Sequence, residues 1–181
     1  PMCKSKQVLL FLLSCLSYLS CQAQGTLIPE PNWPTSAEQD WLLDNSAFKA
    51  GLFQGNSPST ISLSNGLIRR SFLLQPNLTT VGLDNLVNGE NLLRGIKPEA
   101  LITINGKDYK VGGLKGQKNY AFLRAEDLAK LSHDEEALAF QGYQVGPINP
   151  PFPWKRIRHH NTDAAWPPKG IHLELEFMGP D

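Results

Sequence analysis

The chain has 181 residues, 17 basic against 17 acidic side chains, and a hydrophobic fraction of 41%. A chain with balanced charge has no long-range field to gather nucleic acid or an anionic membrane surface, so those partners are set aside. The length suits one domain with a sizeable core, and 15 glycines with 14 prolines suit many short strands joined by turns.

The first residues read as a targeting segment. Lys4 and Lys6 form a basic start, and Val8 to Leu19 is an apolar stretch too short and wrongly flanked to span a membrane. Residues 1–23 are expected to be a signal peptide cut after Ala23, before Gln24. The rival is a lipoprotein signal acylated at Cys21, against which Tyr18 speaks. Cys15 after Leu12-Leu13-Ser14 is a weaker candidate, and a buried core helix is the structural alternative. All three cysteines, Cys3, Cys15 and Cys21, lie in this segment. A chain cut there has no disulfide, thiolate metal site or cysteine nucleophile. The expected location is secreted or periplasmic, in a bacterial envelope, with a eukaryotic host left open. Pro1 ahead of Met2 reads as a piece of a longer reading frame.

Residues 24–58 read as an extended leader with a short helix. Pro29, Pro31 and Pro34 favour extended backbone, and Trp33 either plugs an apolar groove or stays exposed. Ser36 with Gln39 three residues on suggests a capping box before Trp41, Leu42 and Leu43. Ala47–Gln54 is a candidate first strand.

Residues 59–181 read as the β domain. In STISLSNGLIRRSFLL, Ser59 to Leu74, two alternating runs meet at Asn65-Gly66, a tight-turn signal expecting positive φ at both positions. Leu78–Leu83 is a strand. Glu99–Ile104 and Lys107–Val111 form a second hairpin across Asn105-Gly106. Gly112-Gly113 and Gly116 suggest a flexible loop. Ala125–Leu131 is the best helix, with Glu126 and Asp127 in its first turn, where the helix dipole favours them. Leu138–Ile148 returns to strand character. In Ile171–Phe177, Ile171, Leu173, Leu175 and Phe177 point one way while His172, Glu174 and Glu176 point the other. A regular strand this near Asp181 has either docked on the sheet or been severed from a partner; severance is the expectation, giving an incomplete domain.

The segment Pro151–Lys169, PFPWKRIRHHNTDAAWPPK, is the richest in chemistry. Trp154 and Trp166 offer faces for the C–H side of a sugar. Arg156, His159, His160 and Asp163 can hydrogen-bond hydroxyls, so all six are candidate substrate-binding residues. The plain alternative is a surface loop pinned by two packed tryptophans. Neighbouring histidines in extended chain point to opposite sides, so no metal ligand is assigned. His133-Asp134-Glu135-Glu136 reads as a solvated acidic run rather than an acid/base pair, which needs one carboxyl in an apolar pocket. The glycine-rich run at 112–116 lacks the lysine–hydroxyl pair of a phosphate loop. Asn77-Leu78-Thr79 is a glycosylation sequon. No catalytic residue, metal or cofactor is assigned.

Two long runs, NGLIRRSFLLQPNLTTVGLDNLVNGENLLRGIKPEALITINGKDYKVGGLKGQ and WKRIRHHNTDAAWPPKGIHLELEF, resemble the N-terminal region of secreted alpha-galactosidase-like (melibiase-like) glycoside hydrolases of Bacteroidota-type bacteria. The resemblance spans roughly Ser59 to Phe177 and contains no catalytic signature. It implies a galactose-mutarotase or supersandwich-like β-sandwich ahead of a catalytic (β/α)8 barrel of the same parent chain, with carbohydrate as partner. No strand–helix alternation of a barrel is present in this sequence.

The expectation is therefore an all-β, mainly antiparallel β-sandwich with one or two short helices. Its role is to support the barrel of a secreted glycoside hydrolase, with the Trp154–Trp166 loop lining the cleft. The alternatives are an independent carbohydrate-binding module and a surface interaction module without a sugar ligand.

Overall fold

The computed structural model describes residues 26–35, 38–118, 121–150, 152–155 and 166–179. The whole expected signal segment lies outside these residues. No helix among the described residues is long and apolar enough to cross a membrane.

A five-stranded antiparallel sheet organises the molecule: β1 (Gly51–Gln54), β2 (Thr60–Ser64), β3 (Ile68–Leu73), β4 (Thr79–Asn85) and β5 (Glu90–Asn91), side by side in chain order. Period-two alternation separates its two faces. Leu52, Ile61, Phe72 and Leu78 are buried together on one. Ser62, Ser71 and Gly82 stand in register across β2, β3 and β4 on the other. The β3–β4 register shifts between Ser71 and Phe72, so Val81 has no partner there and β4 is bulged.

The first tight turn differs from expectation. Among the described residues only Asn105 is a non-glycine with positive φ, at 52°, followed by Gly106 at 77°. The β6 (Ala100–Ile104) and β7 (Lys107–Val111) hairpin thus has the expected turn. At the β2–β3 turn only Gly66 is positive, at 85°. There the Asn65 side-chain oxygen accepts the N–H groups of Leu67 and Ile68, both at 3.0 Å, so the turn is closed by a side chain.

The β6–β7 hairpin continues into a parallel pairing of β7 with β10 (Ala137–Leu138). Glu99, just before β6, ties this hairpin to the main sheet. It accepts the Thr80 N–H at 2.6 Å and pairs with Arg70. The expected flexible glycine loop is instead a pinned crossing. Gly112 and Gly113 are buried, and Gly113 N–H donates to the Leu78 carbonyl at 2.7 Å. At Gly112, with φ of 62°, a Cβ would come within 2.5 Å of that same carbonyl. Only glycine accommodates this approach.

The remaining short pieces are β8 (Leu114–Lys115) paired with β9 (Ser132–His133). Between them the expected helix is a 3-10 helix, Ala125–Lys130, with no side-chain cap. None of its own residues is buried; Leu131 directly after it is, and Asp127 within it pairs with Arg124 and Lys130. Near the N-terminus the expected cap Ser36 lies outside the described residues. The Thr35 N–H and hydroxyl both donate to Glu38, and residues 41–43 form a turn rather than a helix.

Last in the chain, β11 (Phe140–Pro147) and β12 (Ile171–Phe177) form an antiparallel ribbon. The alternation expected for β12 holds: Ile171, Leu173, Leu175 and Phe177 pack with Phe140 and Tyr143 against the core of the sheet, while His172, Glu174 and Glu176 are exposed. The Phe140 and Phe177 rings meet edge-on at 5.7 Å, and burial raises the Tyr143 hydroxyl above its ordinary pKa. Asn77 locks the ribbon to the sheet. Its Oδ1 accepts the Phe140 N–H at 2.8 Å and its Nδ2 donates to the Leu138 carbonyl at 3.2 Å. The fold is all-β and mostly antiparallel.

Candidate functional site

Of the six candidate residues, Trp154 and Trp166 are described; Arg156, His159, His160 and Asp163 lie outside the described residues. The two tryptophans come together, with a ring-centroid distance of 5.7 Å. Phe152 also meets Trp166, at 5.4 Å, its ring inclined by 31°. Trp166 Nε1 donates to the Phe152 carbonyl at 3.3 Å, which fixes one edge of the indole. The three side chains stay 37–54% exposed. The two indoles contact one another and remain partly exposed. Phe152 was missed from sequence; its place two residues before Trp154 in Pro-Phe-Pro-Trp was the available signal.

A second feature was not read from sequence. The polar face of the main sheet floors a groove of about 910 Å³, lined also by residues 29–35, 123–125 and 128. Trp33 belongs to the first of these segments. It packs against Gly66, where an added Cβ would lie 2.6 Å from the indole, and meets Phe53 edge-on at 6.0 Å. Its Nε1 donates to Glu30 at 2.8 Å. Arg69 then bridges Glu30 at 3.2 Å and Asp84 at 3.0 Å, and Asn91 donates to Asp84 at 3.0 Å. Burial by itself pushes the Glu30 carboxyl up. Hydrogen bonds from Ser64, Trp33 and Arg69, with the Arg69 charge, outweigh it and hold the group below its ordinary value. Glu30 is therefore an ionised, fully engaged anchor at neutral pH, and not a proton donor. The sequence signal for this face was the serine alternation in Ser62, Ser64 and Ser71.

The acidic run after the 3-10 helix is a surface charge ladder. Lys110 pairs with Asp134 at 2.9 Å and Glu136 at 2.8 Å, and Lys115 with Glu135 at 3.2 Å. The hydrogen bond from Lys110 leads the causes that lower Asp134. No carboxyl here sits in an apolar pocket across from another, as acid/base hydrolysis requires. Among the described residues no group of three or more His, Cys, Asp or Glu is placed to hold a metal ion. The sequon asparagine is 1% exposed and engaged through both side-chain atoms, so it presents no surface to a glycosylating enzyme in the folded state.

Comparison of the chain with protein-family models, with curated proteins and with solved structures returned no match.

Proposed function

We propose that this chain is a non-catalytic β-sandwich module of a secreted glycoside hydrolase of the alpha-galactosidase-like kind. It supports a catalytic barrel elsewhere in the parent chain and presents the 152–166 loop to carbohydrate. The observation that carries this reading is the exposed cluster of Phe152, Trp154 and Trp166. Phe152 and Trp154, each in contact with Trp166 and left partly open to solvent, form with it an apolar platform of the kind that stacks on sugar C–H faces. Arg156, His159, His160 and Asp163, between the two tryptophans in sequence, would supply hydrogen bonds to hydroxyls. The ribbon of β11 and β12 packed on the main sheet supports a two-layer, mutarotase-like scaffold. The proposed location is secreted or periplasmic.

An independent carbohydrate-binding module is the second reading, since such a platform needs no barrel to bind. Calorimetry with methyl α-galactoside and raffinose tests the carbohydrate contact. Binding is expected, weakened at least about tenfold, or about 1.4 kcal/mol, in Trp154→Ala and Trp166→Ala. Equal affinity in both variants removes the platform from the site. Coding sequence downstream of Asp181 with repeated strand–helix alternation favours the hydrolase module over the independent one. Turnover of a nitrophenyl galactoside by this chain alone overturns the non-catalytic assignment.

A further inference from the structure

We infer that the groove on the polar face of the five-stranded sheet is a second ligand site, distinct from the Trp154–Trp166 platform, and that it takes a short neutral oligosaccharide. The floor is the first argument. A sheet face covered by protein carries large apolar side chains, and one facing bulk water carries long polar ones. Here Ser62, Ser71 and Gly82 follow the buried Phe53 in one cross-strand row, and these three small residues line the groove. Ser62 is only 5% exposed, and its hydroxyl meets the Ser71 hydroxyl at a long 3.4 Å. One hydroxyl donates once and accepts twice, so this pair holds bonding capacity at the bottom of the groove.

The size is the second argument, since about 910 Å³ lies within the range of small-molecule sites. Charge is the third. In the lining Glu30 and Asp84 set two carboxylates against the single Arg69 guanidinium. A phosphate or carboxylate ligand meets a net negative edge there. A cation meets carboxylates already engaged by Arg69, Trp33 and Asn91. Arg124, also in the lining, is tied to Glu126 and Asp127. The lining thus disfavours ions of both signs and keeps amide, hydroxyl and guanidinium edges for a neutral polyol. Trp33, packed on Gly66, gives the groove an aromatic side.

The ligand class rests on the carbohydrate reading above; the location does not. The test is titration of the full chain with methyl α-galactoside, raffinose, maltotriose and mannotriose. It is followed by calorimetry and by amide chemical shifts, in the parent and three variants. Ser71→Leu fills the floor, Asn91→Ala trims the rim, and Trp154→Ala/Trp166→Ala removes the platform. Support is a shift of the Ser62, Ser71 and Gly82 amides on binding. Affinity at this site should fall at least tenfold in Ser71→Leu and at least threefold in Asn91→Ala, and stay within twofold in the tryptophan pair. Should Ser71→Leu fail to fold, Asn91→Ala decides by the same thresholds. Binding that survives the floor and rim changes and vanishes with the tryptophans overturns the groove and leaves the platform standing. The absence of saturable binding to all four sugars overturns both.

Discussion

Replacing Asn77 with alanine should be among the most damaging polar substitutions in this chain. The side chain is 1% exposed and joins three backbone groups. Oδ1 accepts from Phe140 at 2.8 Å and from Leu78 at 3.1 Å, and Nδ2 donates to Leu138 at 3.2 Å. The Leu138 carbonyl keeps a long 3.4 Å contact from Gly112 N–H, so its loss is partial. The Phe140 N–H has no such reserve, and it begins the ribbon that lies on the core. A donor left unsatisfied costs about 1–3 kcal/mol, and the vacated side-chain volume adds about 1 kcal/mol by the scale of small core truncations. A total near 3 kcal/mol lowers Tm by about 6–12 °C for a chain of this size. Urea unfolding followed by circular dichroism measures the first quantity, and hydrogen exchange should show lost protection at the Phe140 amide. A change below about 0.5 kcal/mol, the scale of an ordinary surface site, together with intact Phe140 protection, refutes the claim that Asn77 fastens β11 to the sheet.

Two glycines with positive φ should respond very differently to alanine. Gly106→Ala meets nothing within 4 Å and costs about 1 kcal/mol of backbone strain. Gly112→Ala drives a Cβ to 2.5 Å from the Leu78 carbonyl and should cost at least about 3 kcal/mol. Equal losses in the two variants, measured by thermal melts, contradict the close crossing at Gly112. The Trp33 segment should be acid-labile. The folded-state pKa of Glu30 is below its ordinary 4.5, so the folded state binds fewer protons there than the unfolded one. The resulting stabilisation is complete above pH 4.5 and is lost as pH falls through the lower folded value. Trp33 fluorescence, read with the other three tryptophans replaced by phenylalanine, should therefore change below pH 4.5, and Glu30→Gln should abolish that step; a step that persists in Glu30→Gln assigns it elsewhere. Expression in a eukaryotic secretory host should yield folded protein whose mass carries no glycan at Asn77, and a fully occupied site in natively folded material contradicts its burial.

Strand existence was legible in the chain itself where one face is apolar and the other wet; the partner of Ile171–Phe177 was not, since that strand was expected to be severed from its partner and instead pairs with Phe140–Pro147. The Ile171–Phe177 alternation and the Asn105-Gly106 corner specify side-chain direction and turn geometry locally, within a few residues. The Asn65 turn was legible as a turn, yet its φ values were not. A side-chain oxygen that accepts two N–H groups offers the backbone a route other than two positive φ angles, and sequence does not choose between them. Gly112 and Gly113 read as a loose loop because what constrains them, the Leu78 carbonyl, is more than 30 residues away. The platform at Trp154 and Trp166 was visible as composition, and its third ring was not. The groove was hidden altogether: Glu30, Arg69, Asp84 and Asn91 are scattered along the chain, and only the folding of five strands side by side brings them to one edge. Residue order thus settles what neighbours along a strand can settle, namely faces and corners. Charge networks, buried amides and forced glycines belong to contacts between distant segments, and the packed fold alone decides them.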